Sequence, residues 1–146
     1  MLKINDDLME QCLEGFEIDY ECPVFCTFSK IDSFLSTGRN YVPAFAAISK
    51  FRTLLVVPIT TSVYIDGSVD LIEYPLLRCE YCKVSRTIFG NYLIKAKFNF
   101  DNKSELIKLN ISRNVLGANL TMQKSNIDKF ADMCKKWGNS GLFSKK

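Results

Sequence analysis

Apolar residues recur along this chain in two rhythms. Near the start, Leu8, Met9, Cys12 and Phe16 fall on one face of a 3.6-residue repeat. Asn5 or Asp6 stands where an N-cap accepts the first free amides, acids fill the first turn, and Gly15 supplies a stop. A helix is therefore predicted over 5–14, and its single apolar face must dock on something. From about residue 21 to 112 the repeat shortens to two, in short runs broken by turn signals. Strands are predicted over 23–28, 41–48, 52–58, 62–65, 69–74, 77–88, 92–100 and 105–112. The breaks are Ser36-Thr37-Gly38, Asp66-Gly67, Gly90-Asn91 and Asp101-Asn102-Lys103, and Asp-Gly brings the positive φ values of a tight hairpin. Ile94, Ala96, Phe98 and Phe100 share one strand face, as do Ile107, Leu109 and Ile111. Leu54-Leu55-Val56-Val57 is apolar on both faces, which predicts a strand covered on both sides, with a packed helix as one cover. Pro43, Pro58 and Pro75 suit strand ends or edges.

The helical rhythm returns near the end. Ser125-Asn126-Ile127-Asp128 resembles a capping box, with Asp in the place of Glu. Ile127, Phe130, Ala131, Cys134 and Trp137 make an apolar stripe, Lys135 and Lys136 suit the negative end of the helix dipole, and Gly138 sits where a terminating glycine belongs. The prediction is a helix over 126–137. The chain then reads as an acidic helical segment (1–19), a β-rich body with its closing helix (20–138) and a polar tail (139–146). The fold class is mainly β, of the α+β kind, and 146 residues suit one domain.

Short antiparallel strands followed by one amphipathic helix hide their edges well in a strongly bent sheet capped by that helix. This order resembles the pleckstrin-homology-like fold, and within it the bacterial PH-like and GRAM-like domains. The residues that carry the resemblance are Ala47-Ile48-Ser49-Lys50-Phe51-Arg52-Thr53-Leu54-Leu55-Val56, similar to an A-L-T-x-x-R-L-L passage between two strands, and Tyr74-Pro75-Leu76-Leu77-Arg78-Cys79, similar to the following I-P-L-x-x-I stretch. Gly90, two alternating strands and the closing helix come after them. The resemblance covers roughly residues 20–138. It implies a seven-stranded antiparallel barrel or sandwich capped by the helix, and a non-enzymatic binding module. The partner it implies is a protein or peptide, met on an open strand edge or beside the closing helix. The alternative is an anionic lipid headgroup. Inositide-binding members use a basic cluster in the first hairpin, so the resemblance marks Lys30, Arg39, Lys50 and Arg52 as ligand-binding candidates; Tyr41 stands where a second basic residue would be.

Composition narrows the chemistry. The chain has no histidine. That excludes Ser-His and Cys-His nucleophile pairs and His-ligated catalytic metals. No Walker loop, G-x-G-x-x-G or G-x-S-x-G occurs, and no pair of acids is marked for catalysis, so the reading is not an enzyme and needs no cofactor. Cys22-x3-Cys26 and Cys79-x2-Cys82 are the one metal-like constellation, since four thiolates suit tetrahedral zinc. Along a regular strand Cys22 and Cys26 would lie about 13 Å apart, too far for one ion. The bland reading is six reduced thiols, largely buried.

Charge is uneven beneath the overall +3. Residues 1–29 hold seven acids and one base, a net −6, and residues 30–146 hold 18 bases and nine acids, a net +9. The two parts either pair with one another or face different partners. No basic run exceeds two residues, so nucleic acid is not expected as a partner. The first residues lack an apolar signal core, which reads as cytoplasmic. Phe45, Phe51, Phe89, Tyr92, Phe98 and Phe100 furnish either a core or an apolar patch. Such a patch, or the first helix, offers a route to self-association.

Overall fold

The computed structural model describes residues 4–16, 18–31, 41–50, 52–59, 70–113 and 118–140. The first helix, α1 (Asp6–Glu14), starts as its sequence dictates: Asn5 is the N-cap, and its side-chain oxygen accepts from Leu8 N at 2.8 Å. Two-residue strands on either side of the body, β1 (Ile4–Asn5) and β9 (Ala118–Asn119), pair in parallel. The Asp6 carboxylate accepts from Thr121 Oγ1 at 2.6 Å, which pins the start of α1 to the far end of the chain.

The body is one seven-stranded antiparallel sheet. Its strands are β2 (Tyr20–Ile31), β3 (Val42–Ser49), β4 (Thr53–Pro58), β5 (Ile72–Pro75), β6 (Cys79–Arg86), β7 (Tyr92–Asn99) and β8 (Ser104–Ile111). The order across the sheet is β5-β4-β3-β2-β8-β7-β6. Two meanders, β2 to β5 and β6 to β8, are thus joined through their first and last strands. The ends of the order, β5 and β6, are not paired with one another, so the sheet is not closed: of the expected barrel or sandwich, the structure shows a seven-stranded antiparallel sheet with a helix at each end of the chain. The closing helix, α2 (Gln123–Ser140), packs against β2, β6 and β7.

Two cores follow from strand alternation. The inner one takes Val24, Cys26 and Phe28 from β2, Ala44, Ala46 and Ile48 from β3, Leu54 and Val56 from β4, and the inward residues of β6 to β8, and α2 adds Ile127, Phe130, Ala131 and Cys134. The outer core puts Leu8, Met9, Cys12 and Leu13 of α1 against Phe45, Ala47, Val57 and Ile59. The β4 strand is therefore buried on both faces, as its uninterrupted apolar run predicts, and the covering helix is α1 of the same chain. At roughly 1.5–3 kcal/mol for each large apolar side chain, the four buried residues of α1 contribute a sizeable share of the stability.

Several boundaries differ from the prediction. β2 begins at Tyr20, because a bulge between Glu21 and Val24 lets the strand run through Pro23. The run predicted over 77–88 splits: Leu76–Arg78 is a 3₁₀ turn, and only Cys79–Arg86 is strand. Pro75 fixes its own φ at −68°, and Leu76 N donates to Arg52 O at 3.0 Å, away from the β6–β7 ladder. The strand predicted over 69–74 is Ile72–Pro75. α2 starts three residues before the predicted helix at 126 and runs through Gly138 to Ser140. Ser125 Oγ donates to Met122 O at 3.3 Å inside the first turn, so it does not cap. The strand predicted over 62–65, the Asp66-Gly67 turn and the Ser36-Thr37-Gly38 break lie outside the described residues. Among the described residues no helix is long and apolar enough to cross a membrane.

Candidate functional site

Of the four basic residues marked from sequence, the structure describes Lys30, Lys50 and Arg52, and two of these pair with acids. Lys30, near the end of β2, places its ammonium 3.2 Å from Glu105, whose side chain is only 9% exposed, and Lys103 approaches the same carboxylate at 3.8 Å. Lys30 is thus the counter-ion of a buried acid, which would otherwise be costly to bury. Lys50 lies in the β3–β4 turn, 3.4 Å from the Asp19 carboxylate, one place where the acidic start meets the basic body. Arg52 is exposed in that turn, with φ at +58°; its N–H donates to Ser49 O at 3.1 Å. Arg39 lies outside the described residues.

The cysteines regroup. In a regular strand Cys79 and Cys82, three apart, would face opposite ways. A bulge between Cys79 and Tyr81 changes this: Cys79 sits opposite Phe98 and Cys82 opposite Ala96, so both thiols face the inner core. Cys134 of α2 reaches the Cys82 thiol, and Cys22 Sγ lies 3.8 Å from Sδ of Met133. Cys26 is elsewhere in the inner core. Burial pushes Cys26 up to about 12; burial and then the neighbouring Cys82 push Cys79 up to about 12. Cys134 is raised by its hydrogen bond with Cys82 and by burial. Cys26, Cys79 and Cys134 are thus thiols rather than thiolates at neutral pH, which makes them poor nucleophiles. Among the described residues no group of three or more Cys, Asp or Glu side chains is arranged to hold a metal.

The end of the body formed by the β6–β7 turn and the start of α2 is held by side chains that sequence reasoning missed. Arg113 donates to Asp128 Oδ1 at 2.9 Å, and the Tyr92 hydroxyl donates to the same oxygen at 2.8 Å. Arg113 N donates to Asn91 Oδ1 at 2.9 Å. The Arg113 and Tyr92 bonds hold the Asp128 carboxyl below its ordinary value. Gly90 has φ at +82°, and a Cβ there would come within 3.0 Å of Arg113 Nε, so this glycine is required twice over. On the other side of α2, the buried Gln123 amide completes β2 where β8 has ended. Its oxygen accepts from Phe25 N at 2.9 Å, and its nitrogen donates to Phe25 O at 2.9 Å and to Ser112 O at 3.0 Å. Asn126 Nδ2 donates to Pro23 O at 2.9 Å. Two helix side chains thus act as a short extra strand for backbone groups that cannot be left unpaired. No local signal marks Gln123 for this, because Phe25, the partner of two of its three bonds, lies 98 residues away.

Two surfaces remain open. An eight-residue edge, β6, has one neighbouring strand among the described residues, whereas the opposite edge, β5, is four residues long. Glu14, Ile18, Asp19 and Tyr20 line a solvent-open depression of about 350 Å³ at the α1–β2 junction. Burial, then Glu14 and Glu10, raise the Tyr20 phenol, so it stays protonated. Of the sequence-marked aromatics, Phe45, Phe98 and Tyr92 are core, Phe100 packs at its margin and Phe51 lies outside the described residues; Phe89 is exposed. No protein-family model matches this chain, and no curated protein does.

Proposed function

We propose that the chain is a non-enzymatic binding module of the PH-like kind, which takes an extended segment of a protein partner on the free edge of β6. The observation that carries this reading is that edge: eight residues of strand that, among the described residues, pair with a strand on one side only. Unpaired N–H and C=O groups in a row are a template for an added strand. The two meanders joined through β2 and β8, the break between β5 and β6, and a last helix packed on β2, β6 and β7 support the PH-like resemblance.

The partner segment is acidic. Lys83 and Arg86 are exposed on β6, and Lys129 and Lys135 are exposed on α2, which packs on it. The acids nearby on α2 are engaged: Asp128 with Arg113, and Asp132 with Lys136 at 3.3 Å. The ion pairs at Lys30 and Lys50 weigh against the headgroup site expected in the first hairpin.

The test is selection of peptides from a displayed random library against the full chain, followed by fluorescence anisotropy with the selected sequences. Selected peptides are expected to be strand-forming and rich in Asp and Glu, and to bind more weakly to a Lys83→Glu, Arg86→Glu double variant. Failure to enrich any peptide, or binding indifferent to that variant, overturns the reading.

A further inference from the structure

The turn between β6 and β7 displays two large apolar side chains to solvent: Ile88 is 93% exposed and Phe89 80%. Surface apolar residues scattered singly are ordinary, but two adjacent ones at the tip of an ordered turn are not. The turn is well tied. Thr87 N donates to Asn91 O at 2.8 Å, Gly90 N to Thr87 O at 3.0 Å, and Asn91 N to Thr87 Oγ1 at 3.2 Å. Arg113 Nη2 donates to Gly90 O at 3.4 Å and Nη1 to Lys124 O at 3.4 Å, so the tip is clamped to the start of α2. There Met122 is exposed as well.

A second, independent feature lies on the outer face of the same strands. Lys83 of β6 stands directly opposite Lys95 of β7, and Lys95 directly opposite Lys108 of β8. Like charges directly opposite are destabilising, so three lysines in one row work against the fold. Lys83 lies over the Tyr81 ring at 5.7 Å, and Lys95 and Lys108 have no ion pair among the described residues. A destabilising arrangement kept on a solvated face points to a ligand of opposite charge.

We infer that this end of the domain docks on an anionic lipid bilayer, with Ile88 and Phe89 entering the interface and the Lys83-Lys95-Lys108 row lying over the headgroups. The pattern is that of interfacial binding: apolar side chains for the acyl boundary, cations for the surface charge. The inference shares Lys83 with the peptide reading, but its turn residues Ile88 and Phe89 lie beyond the β6 strand, so the tip variant tells the two apart. A bilayer fits better than an acidic protein because the apolar tip protrudes instead of lining a groove.

The test is co-sedimentation of the full chain with vesicles of phosphatidylcholine alone or with about 30% phosphatidylserine. Binding is expected only with phosphatidylserine, and is expected to fall as salt rises from about 0.1 M to about 0.5 M. The Ile88→Ser, Phe89→Ser variant is expected to partition roughly tenfold less, because two exposed apolar side chains lose their burial. These residues are solvent-exposed, so circular dichroism should confirm an unchanged fold. Replacing Lys83, Lys95 and Lys108 by Gln should weaken partition by a comparable factor while leaving the melting temperature equal or higher. No binding to phosphatidylserine vesicles overturns the inference. So does binding unaffected by the tip variant, or a solution dimer that the tip variant dissociates, which would make a second copy the occupant.

Discussion

Replacing Gln123 by Met removes three hydrogen bonds while keeping nearly the same side-chain volume. The lost bonds are Phe25 N to Oε1 and Nε2 to the carbonyls of Phe25 and Ser112. Gln123 itself is buried, so water does not replace it readily. A net hydrogen bond contributes about 1 kcal/mol, and leaving a buried backbone group without a partner costs more. The Gln123→Met variant should therefore lose about 2–5 kcal/mol, against a total of about 5–15 kcal/mol for an ordinary domain. Equilibrium urea unfolding, followed by far-ultraviolet circular dichroism, reads this directly. With m near 2 kcal/mol/M, the midpoint should fall by about 1–2.5 M and m should stay constant. The exposed neighbour Lys124 is the control, and Lys124→Met should stay within about 0.5 kcal/mol of the parent. A loss below about 0.5 kcal/mol for Gln123→Met would refute the reasoning that α2 side chains complete β2.

Other changes probe other parts of the account. Lys30→Met should destabilise by about 1–3 kcal/mol, because it strips a counter-ion from buried Glu105; an unchanged melting temperature would free Lys30 for the ligand role marked in the sequence. At Arg52, whose φ is +58°, stability should rank Gly above Arg and Arg above Val, with about 1 kcal/mol between Arg and Val. Asp128 is held low by Arg113 and Tyr92, so its contribution is present above the unfolded value near pH 4 and lost as pH falls through the lower folded value. The melting-temperature gap between the parent and Asp128→Asn should thus be open at pH 7 and close as the pH falls through the lowered folded value; exposure keeps it small, about 0.5–1 kcal/mol. A gap that persists in acid would contradict the ion pair as its source.

Most strands of the sheet, both helices and the double covering of β4 could be read from the chain because each rests on local periodicity. Leu54 to Val57 has no polar face, and a strand of that kind must be covered twice. The start of α1 was equally legible, since Asn5 caps through a residue three positions on. What was not legible depends on distant partners or on bulges. The extra residue between Cys79 and Tyr81 turns two cysteines to one face, and no propensity announces it. The start of α2 was misplaced because Ser125 Oγ donates back to Met122 O inside the first turn instead of capping. The basic residues were marked through a resemblance that knows nothing of their neighbours; Glu105 and Asp19 engage two of them. Ile88 reads as the end of a strand because hydrophobicity alone does not reveal which side of a turn faces water.

The central claim is that the free edge of β6 receives a peptide strand. Amide hydrogen exchange, measured residue by residue on the full chain with and without a selected acidic peptide, tests it most directly. Those amides of Cys79–Arg86 that point away from β7 should become protected on binding, in alternation along the strand, while β5 at the opposite edge should exchange as before. Protection confined to β5, to the β3–β4 turn or to the outer face of α2, with β6 unchanged, would contradict the account.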